Sequence, residues 1–433
     1  MPTEPEPPYD EPAGAAAAWL RRGAPEFVGG NGVRLLQGGD ELFPAMCQAI
    51  ARARHEVWLA TYIFHDDDAS HAVALALADA GRRGVRVGVV VDGFGSKSTL
   101  QRLRDWLPAP HVELTVFRPV DRWWSLLQPG QLRRLHQKLC VVDRDVAFVG
   151  GINVIDDRID LRHGRSDAPR LDFAVQLHGP LVPAVGQTAR ALWSRAALGA
   201  EWREEVVALA RSAEPMAHAR RVLQRLRIVA PGLPAPAAAR VPPVQAAFVV
   251  RDNLRQRRSI ERAYVEAVAR ARQRVELITP YFYPGRAFRR ALVHAAQRGV
   301  RVRLLLQGKI DYRFAALAAQ VLYDELRSQG VFIYEYTPAF LHAKVAVVDD
   351  DWATVGSSNI DPLSLLLNLE ANVIVRDADF ARELSRRFDA AIAVSREVSD
   401  ATQRTGWWQV LRRGFVAWCA HWFLRMAGIT GRY

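Results

Sequence analysis

The chain has 433 residues, 50% of them hydrophobic and 24% charged, with a formal net charge of +12 and a pI near 10.1. That length and apolar content can bury a large core and suit two or three domains, which excludes a small disulfide-stapled module and a wholly disordered chain. The basic balance asks for an anionic partner, either nucleic acid or an anionic membrane surface, and charge by itself does not choose between them.

In chain order, residues 1–28 are Pro/Glu-rich and then Ala-rich. They lack the basic start and apolar stretch of a signal peptide and read as a disordered lead. A first domain is expected over 29–210. It opens with a helix over about 40–53, an apolar strand over 57–63, a helix over 70–82 and a Val-rich strand over 85–91. The acidic run Asp66-Asp67-Asp68 falls at the strand-to-helix turn, where carboxylates cap the following helix rather than gather a metal. Residues 211–245, with the Pro/Ala-rich stretch 231–243, read as a linker. A second domain over 246–398 repeats the order: a helix over 254–271, a strand over 275–279, a helix over 286–298 and a strand over 300–306. The repetition shows in the residues too, since Ala51-Arg-Ala-Arg resembles Ala269-Arg-Ala-Arg, and Arg83-Gly-Val-Arg-Val87 recurs as Arg298-Gly-Val-Arg-Val302. Alternating strands and helices imply an α/β fold of two duplicated domains, each a mixed, largely parallel sheet flanked by helices. The tail, 399–433, is basic and Trp-rich. Trp407, Leu411, Phe415, Trp418, Trp422 and Met426 share one face of a helix, as an interfacial membrane helix requires, although such a face could also pack on the core. Trp123-Trp124 and Leu126-Leu127 are a second candidate contact and could equally be core. No run of eighteen uncharged apolar residues is present, so no membrane-spanning helix is expected.

The chemistry lies in a doubled pattern. His136-Gln-Lys138 leads through apolar residues to Asp143, and His342-Ala-Lys344 leads through another such run to Asp349. Each is followed by a second matched segment, Gly150-Gly151-Ile-Asn153 or Gly356-Ser357-Ser358-Asn359. Two copies imply two halves of one site. A neutral imidazole attacks phosphorus and a protonated one donates to a leaving oxygen, so a pair of histidines can divide the work on one phosphodiester. Lys138 and Lys344 would supply positive charge to the phosphate oxygens, a role metals take elsewhere, so neither a metal nor another cofactor is expected. Asn153 and Asn359, with the backbone amides near Gly151 and Ser357, are candidate further donors. Each histidine needs an acceptor on its other nitrogen, and Asp172 downstream of His136 and Glu370 downstream of His342 are the candidates. Asp143 and Asp349 sit where the apolar stretch turns, and capping of a hairpin is their leading reading. Cys47, Cys140 and Cys419 form no Cys-x-x-Cys pair, and Cys140, between motif residues, reads as a small buried strand residue.

These motifs resemble the phospholipase D superfamily over about Asn31 to Asp377. More narrowly, Asn31-Gly-Val-Arg-Leu-Leu, Thr61-Tyr-Ile-Phe, Val91-Asp-Gly-Phe-Gly-Ser96 and the stretch from Asn359 to Glu370 resemble bacterial cardiolipin synthases of the B type. Members of the A type generally carry two N-terminal membrane-spanning helices and commonly have Arg where this chain has Leu363. Ser70 stands where many relatives have Gly, which bears on local loop shape. The resemblance implies one active site shared at the interface of the two domains, with His136, Lys138, Asp143, His342, Lys344 and Asp349 as its catalytic set. It also implies transfer of a phosphatidyl group through a phosphohistidine, by analogy on His136, with the reverse assignment to His342 left open by the near-symmetry of the motifs, from a donor such as phosphatidylglycerol to phosphatidylglycerol, releasing glycerol. The expected setting is the cytoplasmic side of a bacterial cell membrane, bound peripherally to anionic phospholipid, with no nucleic-acid partner. The alternative is a phosphodiesterase or nuclease that uses water as acceptor.

Overall fold

The computed structural model describes residues 25–108, 110–120, 133–161, 164–211, 244–251, 258–308, 322–360 and 368–399. The lead over 1–24, the Trp123-Trp124 contact, nearly all of the linker and the tail beyond 399 lie outside the described residues.

The first half runs β1 (Val28–Gln37), α1 (Gly38–Ala51), β2 (Glu56–Thr61), α2 (Asp68–Arg82), β3 (Arg86–Asp92), α3 (Leu100–Trp106), β4 (Val112–Phe117), β5 (Lys138–Val142), β6 (Val146–Gly150), β7 (Phe173–His178) and α4 (Val182–Arg211). The second runs β8 (Val244–Arg251), α5 (Ser259–Arg270), β9 (Arg274–Thr279), α6 (Arg286–Gln297), β10 (Arg301–Gln307), β11 (Phe332–Tyr336), β12 (Val345–Val348), β13 (Trp352–Gly356), β14 (Glu370–Arg376), α7 (Ala378–Ala393) and β15 (Arg396–Glu397). The strands form one fifteen-stranded sheet, ordered β15-β11-β10-β9-β12-β13-β14-β8-β1-β7-β6-β5-β2-β3-β4. Each half therefore contributes the same seven-strand order, one the reverse of the other, with β15 added at the outer edge of the second, and the halves join where β1 pairs with β8. The duplicated α/β organisation is as expected. Its parallel share is narrower than expected: β2–β3, β3–β4, β9–β10 and β10–β11 are parallel, and the other ladders are antiparallel. Parallel strands need a long crossover, which only the segments around α2 and α6 and those leading into β4 and β11 supply. Elsewhere neighbouring strands run antiparallel, and β5–β6 and β12–β13 are tight hairpins.

The central strands read as unbroken apolar runs because helices or the facing half cover both sides; Val87 to Val91 are buried without interruption. One apolar cluster spans both halves, from Val141 and Val149 on one side to Val347 and Val355 on the other, so the two cannot part without exposing it. At the start of α2 the Asp67 carboxylate accepts the Ser70 N–H at 2.9 Å, and Ser70 is buried with its hydroxyl donating to the Val154 carbonyl. The acidic run is thus a cap, as read. Cys140 is buried in β5, and burial pushes its thiol pKa up, which suits an inert packing residue.

Candidate active site

Each motif enters the site by way of its strand. His136 stands two residues before β5 and His342 three before β12, and Lys138 and Lys344 follow each histidine by two residues, on the same face, with buried side chains. At the other end of each hairpin sit Asp143, at φ 53°, and Asp349, at φ 52°. The Asp143 carboxylate accepts the N–H groups of Arg54, His55 and Glu56 at 2.7, 2.8 and 2.9 Å. Asp349 takes those of Arg272, Gln273 and Arg274. A strand of this length separates each aspartate from its histidine by roughly 15 Å. Asp143 and Asp349 therefore clamp the turns entering β2 and β9, at the far end of each hairpin from the histidines, which fits the hairpin-capping reading better than a place in the catalytic set.

The histidines meet across the join of the two halves, with ring centroids 6.4 Å apart and planes at 64°. Backbone bonds hold them there. His136 N–H donates to the Leu369 carbonyl at 3.1 Å, and Leu369 N–H donates to that of Arg134 at 2.9 Å. In the other half, His342 N–H donates to the Leu171 carbonyl at 2.9 Å, and Leu171 N–H to that of Phe340 at 3.0 Å. Each motif is thus stitched to the segment leading into the other half's carboxylate strand. The pairing of histidine and carboxylate crosses as a result: His136 Nδ1 lies 3.0 Å from Glu370 Oε2, and His342 Nδ1 lies 2.6 Å from Asp172 Oδ2. Glu370 and Asp172 both meet a histidine ring nitrogen, but each that of the opposite half. With Nδ1 engaged, each ring turns Nε2 to the shared space.

The two halves are not electrostatically equal. Ser357 donates its hydroxyl to Glu370 Oε2 at 2.6 Å. The equivalent residue beside Asp172 is Gly151, where an added Cβ would come within 2.3 Å of Asp172 Oδ1, so no side chain can stand there to donate. Burial pushes Asp172 up to about 7 against the opposing pull of Lys344 and the Phe173 amide. Glu370 feels burial as well, but His136, Lys138 and Ser357 together outweigh it and hold its carboxyl below the usual range. Burial first, then Lys344, Lys138 and Arg170, push His342 well below an ordinary imidazole. Burial lowers His136 too, while Glu370 pulls it back up. Burial carries Lys138 down to about 7, with Lys344 adding to the fall. An arriving anion would reverse these cationic losses.

Lys138 Nζ donates to the His136 carbonyl at 2.6 Å, Lys344 Nζ does the same to the His342 carbonyl, and the Tyr62 ring lies 5.3 Å from that of His136. Asn153 and Asn359 are buried behind the motifs. Asn153 Oδ1 accepts the Ile63 N–H at 3.2 Å, which ties it to the turn after β2. The amides of Gly151 and Ser357 themselves donate to Phe173 and Ala371 carbonyls and so are committed to the sheet rather than open to phosphate.

Sequence reading missed a further pair of clamps. Asp92, at the end of β3, accepts the Leu135 N–H at 2.9 Å, and Gln307, at the end of β10, accepts the Leu341 N–H at 3.0 Å. Each fixes the peptide just ahead of a histidine. The signal available was their matched place at the ends of the repeated apolar strands β3 and β10.

The comparisons agree with this architecture. The family described as "Cardiolipin synthase, PLD-like domain" matches residues 46–163 and 264–392, one stretch in each half. Cardiolipin synthase B of Escherichia coli (strain K12) is 35% identical over 396 residues, spanning 88% of this chain and 86% of that protein. Cardiolipin synthase A of Pseudomonas fluorescens (strain SBW25) is 32% identical over 374 residues, spanning 86% of this chain and 71% of that one. Among solved structures, a phosphatidylserine synthase from Haemophilus influenzae Rd KW20 superposes with a TM-score of 0.68 over 95% of this chain and 99% of that one, at 13% identity, which speaks to the fold alone. Two family matches on two pseudo-symmetric halves, with relatives 32–35% identical over most of the chain, place the chain in the cardiolipin synthase family of phospholipase D-like enzymes.

Proposed function

We propose that this chain is a cardiolipin synthase that moves a phosphatidyl group from phosphatidylglycerol to a second phosphatidylglycerol and releases glycerol. The observation that carries the reading is the pair of facing imidazoles, each held at Nδ1 by a buried carboxylate, in a chain 35% identical to cardiolipin synthase B.

His136 is assigned the attack. Its partner Glu370 stays ionised, keeps the proton on Nδ1 and leaves the Nε2 lone pair for phosphorus. The P–N bond forms as the bond from phosphorus to the glycerol oxygen breaks, and the cationic ring that results is stabilised by the Glu370 carboxylate. The departing oxygen takes a proton from His342. Because Asp172 is pushed up to about 7, the Asp172–His342 pair can hold one proton near neutral pH, and the bound phosphodiester anion draws it onto the imidazole. In the second step His342 removes the proton of the acceptor hydroxyl, whose oxygen attacks phosphorus and frees His136. Lys138 and Lys344 offset the charge that builds on the phosphoryl oxygens. One phosphodiester replaces another, so the exchange needs no energy-rich co-substrate.

Binding is assigned to the cytoplasmic surface of an anionic bilayer. The net charge of +12 and the Trp-rich tail support it, and among the described residues no helix is long and apolar enough to cross a membrane. The test is a product assay with purified protein in mixed micelles of phosphatidylglycerol, run beside single-stranded DNA. Cardiolipin with stoichiometric glycerol is the expected result. Phosphatidic acid alone, or nicked DNA without cardiolipin, would overturn the proposal in favour of a hydrolase.

A further inference from the structure

One cluster of charge lies outside the reacting groups and breaks the pseudo-symmetry. Arg118 follows β4, and Arg133 and Arg134 immediately precede Leu135 and His136. The three converge. Arg118 Nη1 donates to the Arg133 carbonyl and Arg134 Nη1 to the Arg118 carbonyl, both at 3.3 Å. Burial, followed by repulsion from Arg133 and Arg134, lowers the pKa of Arg118, as expected of cations crowded with too little counter-charge. The carboxylate beside them is Asp92, 3.7 Å from Arg134 Nη1, and three backbone amides already occupy it. The Arg134 side chain is nine-tenths buried, and its Nη2 has no hydrogen-bond partner among the described residues. A buried donor in that state is costly, and an anion in the cluster would satisfy it.

Two further features fit a ligand site. Arg118 adopts φ 50°, a left-handed conformation that is unfavourable for a residue with a side chain. Gly93 packs so closely on its carbonyl that a Cβ there would lie 2.4 Å from that oxygen. Next to the cluster Phe94 is half exposed, with the Arg134 guanidinium 5.3 Å from its ring. The second half has no counterpart. The sheet register equates Phe117 with Tyr336, which places Thr337 opposite Arg118, and the motifs equate Arg133 and Arg134 with Ala339 and Phe340.

We propose that Arg118, Arg133 and Arg134 form a second phosphate subsite, which binds the phosphodiester of the acceptor phospholipid while Phe94 meets the apolar part of that lipid. The inference rests on the transferase reading above and adds the direction from which the acceptor enters. Its geometry suits that acceptor. Arg134 is two residues from His136, and a phosphatidylglycerol hydroxyl stands roughly 5 Å from its own phosphate along single bonds, so a phosphate at the cluster carries its hydroxyl toward the reacting centre. An acceptor without a phosphate would gain nothing from the cluster.

The test follows from that difference. The full chain is assayed in phosphatidylglycerol micelles with ethanol as an uncharged competing acceptor, and cardiolipin and phosphatidylethanol are counted in the same tube. In Arg118→Met and Arg133→Met the ratio of cardiolipin to phosphatidylethanol should fall about tenfold or more while phosphatidylethanol forms at the wild-type rate. That retained rate shows that the fold and the donor site are intact. Arg118→Lys, which keeps the charge, should recover most of the ratio. An unchanged ratio, or both products falling together, would overturn the subsite. So would inhibition of the wild type by inorganic phosphate that added acceptor lipid does not relieve, which would assign the cluster to free phosphate. A wild type that makes phosphatidylethanol but no cardiolipin would overturn the function itself before any variant is compared.

Discussion

Replacing Glu370 by Gln removes one charge and almost no volume from a carboxylate that accepts from both His136 and Ser357. Hydrogen bonds to a charged acceptor contribute about 1.5–3 kcal/mol and neutral ones about 0.5–1.5, so each of the two bonds weakens by about 1–2 kcal/mol. The larger effect falls on the reaction. When His136 becomes cationic in attacking phosphorus, a carboxylate charge roughly 5 Å from the ring centre stabilises it by about 3 kcal/mol at an effective dielectric of 20, so Glu370→Gln should lower kcat by roughly a hundredfold. The direction of the pH effect is also set. Glu370 raises the pKa of His136, and attack needs the neutral ring, so removing that charge moves the acid limb of the rate profile to lower pH even as the maximum falls. The assay is kcat against pH in micelles, paired with nitrogen-15 titration of the imidazoles, using His136→Ala and His342→Ala to assign the signals. Crossed pairing predicts that Glu370→Gln shifts the His136 titration down and leaves that of His342 nearly where it was. A shift confined to His342 would refute the crossed arrangement, and an acid limb moving to higher pH would refute the electrostatic reasoning.

Further outcomes follow from the same structure. Asp143→Ala and Asp349→Ala each free three loop amides far from the reacting groups, so each should cost about 2–4 kcal/mol in urea unfolding while kcat per folded molecule stays within a few-fold of wild type. Asp157 is buried against the Gly39 amide at the start of α1, and burial raises its pKa to about 6 from an unfolded value of 3.8. The native state then binds the extra proton between those values, so stability falls as pH rises from about 4 to about 6, by up to about 3 kcal/mol, and Asp157→Asn should flatten that slope in denaturation measured across the window. Activity should survive EDTA, because lysines and histidines are assigned the whole reaction. Loss on chelation, restored by a divalent ion, would contradict that assignment.

The duplicated α/β fold was legible because each half carries its own periodicity. Apolar runs such as Val85 to Val91 read as strands buried on both faces, and the helices between them are amphipathic. Both histidines and both lysines were legible because the pattern occurs twice with matched flanks. The partner of each histidine was not. Asp172 follows His136 and Glu370 follows His342 along the chain, and nothing local says that the stitches through Leu369 and Leu171 carry each carboxylate across to the other half. That exchange is a tertiary fact made by the join of β1 with β8. The inequality of the halves was in plain view as Gly-Gly against Gly-Ser-Ser, but its meaning needed the contact between Ser357 and Glu370 and the lack of room at Gly151. The three arginines were equally hard to see, since Arg118 lies a full loop away from Arg133 and Arg134, and a basic residue in a chain of +12 draws no notice.

The most direct test of one shared site with a covalent step is to trap the adduct. Wild-type protein is mixed with phosphatidylglycerol labelled in its acyl chains, quenched in alkali within the first turnover, digested and read by mass spectrometry. The account predicts a phosphatidyl group on the peptide carrying His136, lost in His136→Ala and formed far more slowly in His342→Ala. Cardiolipin produced at full rate with no adduct on His136 at any time would contradict it.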